Sequence, residues 1–112
     1  MLESTLEHNI LRKMHERTIK NFMDIVILTE LRKGHPMSGY DFITFIHKKF
    51  HILMSSGTVY SVLYALERNE LIEGMWNKRK RVYKLTDKGE ETTNIILNAK
   101  EEIIQSFTKT LL

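Results

Sequence analysis

Cysteine is missing from this sequence of 112 residues. Its absence removes disulfide frameworks, thiol nucleophiles and every cysteine-ligated zinc or iron–sulfur centre. Proline occurs once and glycine five times, too few for a proline- or glycine-rich linker, and neither an internal repeat nor a low-complexity tract is visible. Long apolar runs are lacking too. Runs such as Ile25 to Leu28 fall far short of the roughly 20 residues that cross a bilayer, so no membrane partner is expected. The first residues show no basic start followed by an apolar stretch, because Glu3, Glu7 and Glu16 are interspersed with Arg12, Lys13 and Arg17, and the expected location is the cytoplasm. The length suits one domain, with some apolar surface left for a partner.

What charge there is lies in one place. The net charge is only +3, yet Lys78, Arg79, Lys80, Arg81, Lys84 and Lys88 stand close together with Asp87 as the one acid among them. That is a compact basic patch on a nearly neutral body.

Helical periodicity dominates the rest. Leu2, Leu6, Ile10 and Met14 recur every four residues, giving an N-terminal amphipathic helix that suits a dimer arm. From about Thr18 to Lys33, Ile19, Phe22, Met23, Ile25, Val26, Ile27, Leu28 and Leu31 cover most of a helix surface, so this helix is expected to be central and buried. Gly34 and Pro36 end it. Ser38 with Asp41 three residues on forms a capping box for the next helix, whose core face is Phe42, Ile43, Ile46 and Phe50. A further helix starts at Ser55 or Ser56 and ends near Asn69, with Val59, Val62, Leu63 and Leu66 as its apolar stripe. On the opposite side lie Gly57, Ser61, Tyr64 and Arg68, flanked by Thr58 and Tyr60. These small and hydrogen-bonding groups suit contact with a ligand surface.

The period then changes. Leu71 to Trp76 and Arg81 to Leu85 read as two short strands around the polar Asn77, Lys78, Arg79 and Lys80, a hairpin with a cationic tip. Thr86 caps a final helix, helped by Asp87, Glu90 and Glu91 at its positive end, and this helix is expected to run almost to Leu112. Its stripes, Ile96, Ala99, Ile103 and Phe107 beside Leu97, Ile104 and Leu111, carry too much apolar surface for a solvated tail.

Helices followed by a basic hairpin give a mainly α fold with a small β-hairpin: a winged helix-turn-helix with an N-terminal helix and a long C-terminal dimerisation helix. The expected division is an N-terminal arm at 1–17, a DNA-binding domain at 18–86 and a dimerisation helix at 87–112. Residues Ser55 to Arg68, among them Ser56, would enter the major groove of duplex DNA. Asn77, Lys78, Arg79, Lys80 and Arg81 would grip the phosphates. Leu6, Ile10, Ile96, Ala99, Ile103, Ile104, Phe107 and Leu111 would join two copies into a homodimer.

The sequence also resembles the PadR-like transcriptional regulators. The matching stretches are Pro36-Met37-Ser38-Gly39-Tyr40-Asp41, Ser56-Gly57-Thr58-Val59-Tyr60, Leu63 to Ile72, and Val82-Tyr83-Lys84-Leu85-Thr86-Asp87-Lys88-Gly89. The resemblance implies a cytoplasmic homodimeric transcription factor, often a repressor, with Tyr40, Thr58 and Tyr60 at or near DNA. Two features depart from the family pattern: the glycine usual before the first wing strand is replaced at Asn69-Glu70, and the C-terminal region lacks the tryptophan that some members use to stack flat ligands. A small-molecule effector of unknown identity stays open as a further partner.

Other readings carry less. His47 and His51 have the i, i+4 spacing of a metal pair, but two ligands do not make a site, and no metal or cofactor is expected. Trp76 is expected to pack under the wing. Neither a glycine-rich phosphate loop nor a Ser, His and acid grouping suggests catalysis. The alternative function is a winged-helix adaptor that binds a protein partner through the same surfaces.

Overall fold

The computed structural model describes residues 2–112, among which six helices and a three-stranded antiparallel sheet form. The helices are α1 (Leu2–Asn21), α2 (Met23–Leu31), α3 (Gly39–Phe50), α4 (Ser56–Arg68), α5 (Asp87–Asn98) and α6 (Lys100–Thr110). The strands are β1 (Met37–Ser38), β2 (Ile72–Asn77) and β3 (Lys80–Leu85), in the order β1-β3-β2. Among the described residues, no helix is long and apolar enough to cross a membrane.

The core forms where the amphipathic faces converge. Met23 and Ile27 of α2, Phe42 and Ile46 of α3, Val59 and Leu63 of α4, and Ile72 of β2 are all fully buried. Ile43, Phe50 and Val62 pack at its margin, half-buried. The capping box on α3 is present in both halves: Asp41 N–H donates to Ser38 Oγ at 3.1 Å, and Ser38 N–H donates to the Asp41 carboxylate at 2.9 Å. Thr86 caps α5 through Gly89 N–H at 3.0 Å. Gly89 is itself wedged against the Leu71 carbonyl, which a Cβ would strike, so α5 docks closely on the chain entering β2.

The helices are divided differently from the sequence expectation at both ends of the chain. The N-terminal helix does not end near Met14 but continues to Asn21, so the boundary at residue 17 falls inside α1. Neither glycine nor proline lies between Leu2 and Lys33, and Thr18 fits within α1 by donating its hydroxyl to the Met14 carbonyl at 2.8 Å. The break comes at Phe22, with ψ at 26°. The final helix is likewise two helices, interrupted at Ala99 (φ −95°, ψ 7°). That break falls where the chain leaves the body: α5 buries Gly89 and Thr93, whereas α6 buries nothing. The side chain of Leu2 lies outside the described residues.

The hairpin has a third strand beside it. Met37 pairs with Tyr83 and Ser38 with Val82, so the start of α3 is stitched to the wing. In the hairpin, Asn77 pairs with Lys80 across a two-residue turn, and Lys78 takes left-handed backbone (φ 59°).

The end of α4 explains the missing glycine. Leu71 N–H donates to the Leu66 carbonyl at 3.0 Å and Glu70 N–H to the Glu67 carbonyl at 2.9 Å, the bond pair of a Schellman motif. Its left-handed position is held by Glu70 (φ 63°), where a side chain is strained. Glu70→Gly is therefore expected to raise stability by roughly 0.5–1 kcal/mol, read as a higher urea midpoint with an unchanged slope.

Candidate nucleic-acid interface

The core stripe of α4 fixes what its other side presents. With Val59, Leu63 and Leu66 buried, Gly57, Tyr60, Ser61, Tyr64 and Arg68 are directed outward, and all are exposed. Gly57 has open space where a Cβ would stand, so backbone can be approached closely there. Tyr60 lies over Gly39 at the start of α3, where a Cβ would run into its ring. It therefore stands beside exposed Tyr40 on the first turn of that helix. The Arg68 guanidinium sits 5.6 Å from the Tyr64 ring centroid.

Ser55 and Thr58 have a structural task. Ser55 is the N-cap of α4 and accepts from Thr58 N–H at 3.2 Å, and the two hydroxyls lie 2.8 Å apart. Both remain exposed, as does Ser56.

Asn77, Lys78, Arg79 and Lys80 surround the hairpin tip and are all exposed. Among the described residues, none of the three tip cations enters an ion pair. Lys84 differs, pairing with Glu73 at 3.1 Å across the hairpin. So does Arg81, which turns inward and bonds Glu67 of α4 at 2.7 Å. Desolvation opposes the charge of Arg81, but the Glu67 carboxylate, by charge and hydrogen bond, and then Tyr83 outweigh it and hold the guanidinium above its ordinary value.

Trp76 does not pack under the wing: it is 69% exposed. Its face of the hairpin is the one that carries Ile72 into the core, but position 76 lies near the tip, beyond the body, and there the Arg81 guanidinium lies 5.8 Å from the ring centroid. Glu67 was not singled out by sequence reasoning. The available signal was an acid on α4 beside its outward face, one residue before Arg68 and out of keeping with the basic patch. His47 and His51 do not share a helical face, since His51 leaves α3 with left-handed backbone (φ 58°).

The family pattern described as "Transcriptional regulator PadR-like family" matches residues 27–94, over half the chain and the whole span from the middle of α2 into α5. The chain belongs to this family. As a PadR-family member it is a transcriptional regulator and not an enzyme. Solved PadR-like structures share its fold. A PadR-like transcription factor from Bacteroides fragilis superposes with a TM-score of 0.70 at 22% identity, covering 88% of this chain and 98% of that one. A PadR family transcriptional regulator from Eggerthella lenta gives 0.75 at 19% identity and covers 96% of each chain. Bacillus subtilis PadR, solved in complex with operator DNA, gives 0.58 at 26% identity over 67% of this chain and 45% of that one. No curated protein matches the chain.

Proposed function

We propose that this PadR-family regulator is a sequence-specific reader of duplex DNA that represses transcription as a homodimer. The observation that carries the reading is the pairing of an outward, hydrogen-bonding face on α4 with three unpaired cations at the adjacent wing tip. The face on α4, from Ser55 to Arg68 with Tyr40 beside it, suits base edges in the major groove. Lys78, Arg79 and Lys80 suit phosphates, releasing counterions and supplying affinity without sequence preference. The Bacillus subtilis relative solved in complex with operator DNA supports DNA as the partner.

The homodimer rests on surface that a monomer leaves uncovered. Leu6, Ile10, Ile103, Ile104, Phe107 and Leu111 are 45–72% exposed, while Ile96 and Ala99 are half-buried. Between α1 and α6 runs an apolar groove of about 450 Å³ lined by Met14, Phe22, Ile103, Ile104, Phe107 and Leu111. The radius of gyration is 16.0 Å, against about 13 Å for a compact chain of this size. Arms that extend so far and bury so little are stable when a second copy covers them. On this reading the DNA-binding unit spans α2 to β3, and α1, α5 and α6 form the dimer. A two-fold axis would then present two reading helices to half-sites roughly 34 Å apart.

Binding to a duplex from the promoter of its own gene, compared with a scrambled duplex across salt concentrations, tests the reading. Selective binding with a steep salt slope is expected. Replacing Lys78, Arg79 and Lys80 by Ala should flatten that slope by about 0.9 for each phosphate contact removed and weaken both duplexes alike. Absence of binding at low salt contradicts the reading and favours the protein-adaptor alternative. Phe107→Asp places a charge in the apolar groove and is expected to yield monomers in sedimentation equilibrium, with promoter affinity falling at least about tenfold because half-sites no longer act together. Dimers of unchanged stability would contradict the assigned interface.

A further inference from the structure

The wing is tied to the reading helix through one carboxylate oxygen. Glu67 Oε2, on α4, accepts from the Gly74 backbone N–H at 3.0 Å and from Arg81 Nη2 at 2.7 Å. Strand β2 is an edge strand, so the first bond occupies a donor on the open side of the sheet. The second draws Arg81 across the hairpin, 5.8 Å from the ring centroids of Trp76 and Tyr83. Gly74 makes the crossing feasible, because a Cβ there would run into the guanidinium.

This arrangement is more than an exposed ion pair. The Arg81 and Glu67 side chains keep only 37% and 32% of their surface, and one of the two bonds goes to backbone. A hydrogen bond to main chain fixes the position of the strand and not merely that of a side chain. The charge balance matters equally. An unneutralised carboxylate beside the exposed Tyr60, Tyr64 and Arg68 would repel phosphates, and Arg81 neutralises it.

We propose that Glu67 is the positioning residue of the DNA interface, locking the wing to α4 and withdrawing Arg81 from the phosphate-binding set. The proposal rests on the DNA-reading function above and assigns its geometry. The lock sets the spacing between the tip cations and the reading face, so only a duplex that satisfies both at once is held tightly. Without Glu67 the outer half of the wing, beyond the buried Ile72 and Tyr83, is less restrained and Arg81 becomes an additional phosphate ligand. Preference then falls while indiscriminate affinity rises.

The test compares Glu67→Ala and Glu67→Gln with the unaltered chain, first without DNA. Trp76 is the chain's single tryptophan, so emission reports the wing alone, and amide exchange reports Gly74 directly. Glu67→Ala is expected to change Trp76 emission and to speed Gly74 exchange by about tenfold or more. Glu67→Gln, which keeps an acceptor, should largely restore Gly74 protection but not the hold on Arg81. With DNA, Glu67→Ala should lower the promoter-to-scrambled affinity ratio by about tenfold. It should also bind the scrambled duplex at least as tightly as the unaltered chain, with a salt slope steeper by about 0.9 per protomer. A general loss of folding would weaken both duplexes together and is thereby distinguished; in that event Glu67→Gln, expected to show the steeper slope as well, carries the test. Unchanged Gly74 exchange and Trp76 emission would overturn the lock. A changed wing with unaltered ratio and slope would overturn the positioning role and leave Glu67 a local stabiliser. Lack of preference in the unaltered chain would instead overturn the DNA reading itself.

Discussion

Met23, Ile27, Leu28 and Leu31 give α2 one fully buried face, and α3, α4, the sheet and α5 gather around it. Each such side chain contributes about 1.5–3 kcal/mol on burial, more than any polar contact on the surface of the molecule. Because α4 must place Val59, Leu63 and Leu66 toward this centre, helical geometry leaves Gly57, Tyr60, Ser61, Tyr64 and Arg68 outside. The candidate reading face is thus a consequence of core packing. The same centre directs α5, where the Arg32 guanidinium donates to the Asn94 side chain at 2.7 Å and the buried Thr93 hydroxyl donates to the Gly89 carbonyl at 2.7 Å.

Around that fixed centre the molecule has two regions that packing alone does not hold. One is the wing, whose outer half extends past the core and is steadied by polar contacts: Glu67 with Gly74 and Arg81, and Glu73 with Lys84. The other is the pair formed by α1 and α6, whose apolar groove has no cover from the chain itself. These are the surfaces assigned to DNA and to a second copy, and each is open for a physical reason. Cations left unpaired are available to phosphates, and apolar side chains left exposed favour association.

Much of this was legible in the sequence. Burial on α2, α3 and α4 follows the apolar spacing, and the caps at Ser38, Ser55 and Thr86 stand where side-chain oxygens precede free N–H groups. The family resemblance, carried by the stretches around Ser38, Thr58 and Thr86, agrees with the family pattern found over residues 27–94. Strand β1 was not legible, since two residues have no period and its pairing with β3 is set by the fold. The breaks at Phe22 and Ala99 carry neither glycine nor proline; they arise where helices pass between the body and the projecting arms. Trp76 was misread because alternation tells which face a strand residue occupies, not whether the body extends beneath it. Arg81 shows a similar limit: within a run of four cations, only the tertiary neighbour Glu67 separates the one used internally from those left free.

The most direct test of the account maps backbone amide chemical shifts while a promoter duplex is titrated into the labelled protein. Shifts concentrated on the first turns of α3 and α4, on Tyr60, Tyr64 and Arg68, and on the Asn77 to Lys80 turn are expected, with α2 and the α1–α6 groove little affected. Perturbation centred on α1 and α6, with α4 and the wing tip unchanged, would contradict the assignment of α4 and the wing as the DNA-reading surface.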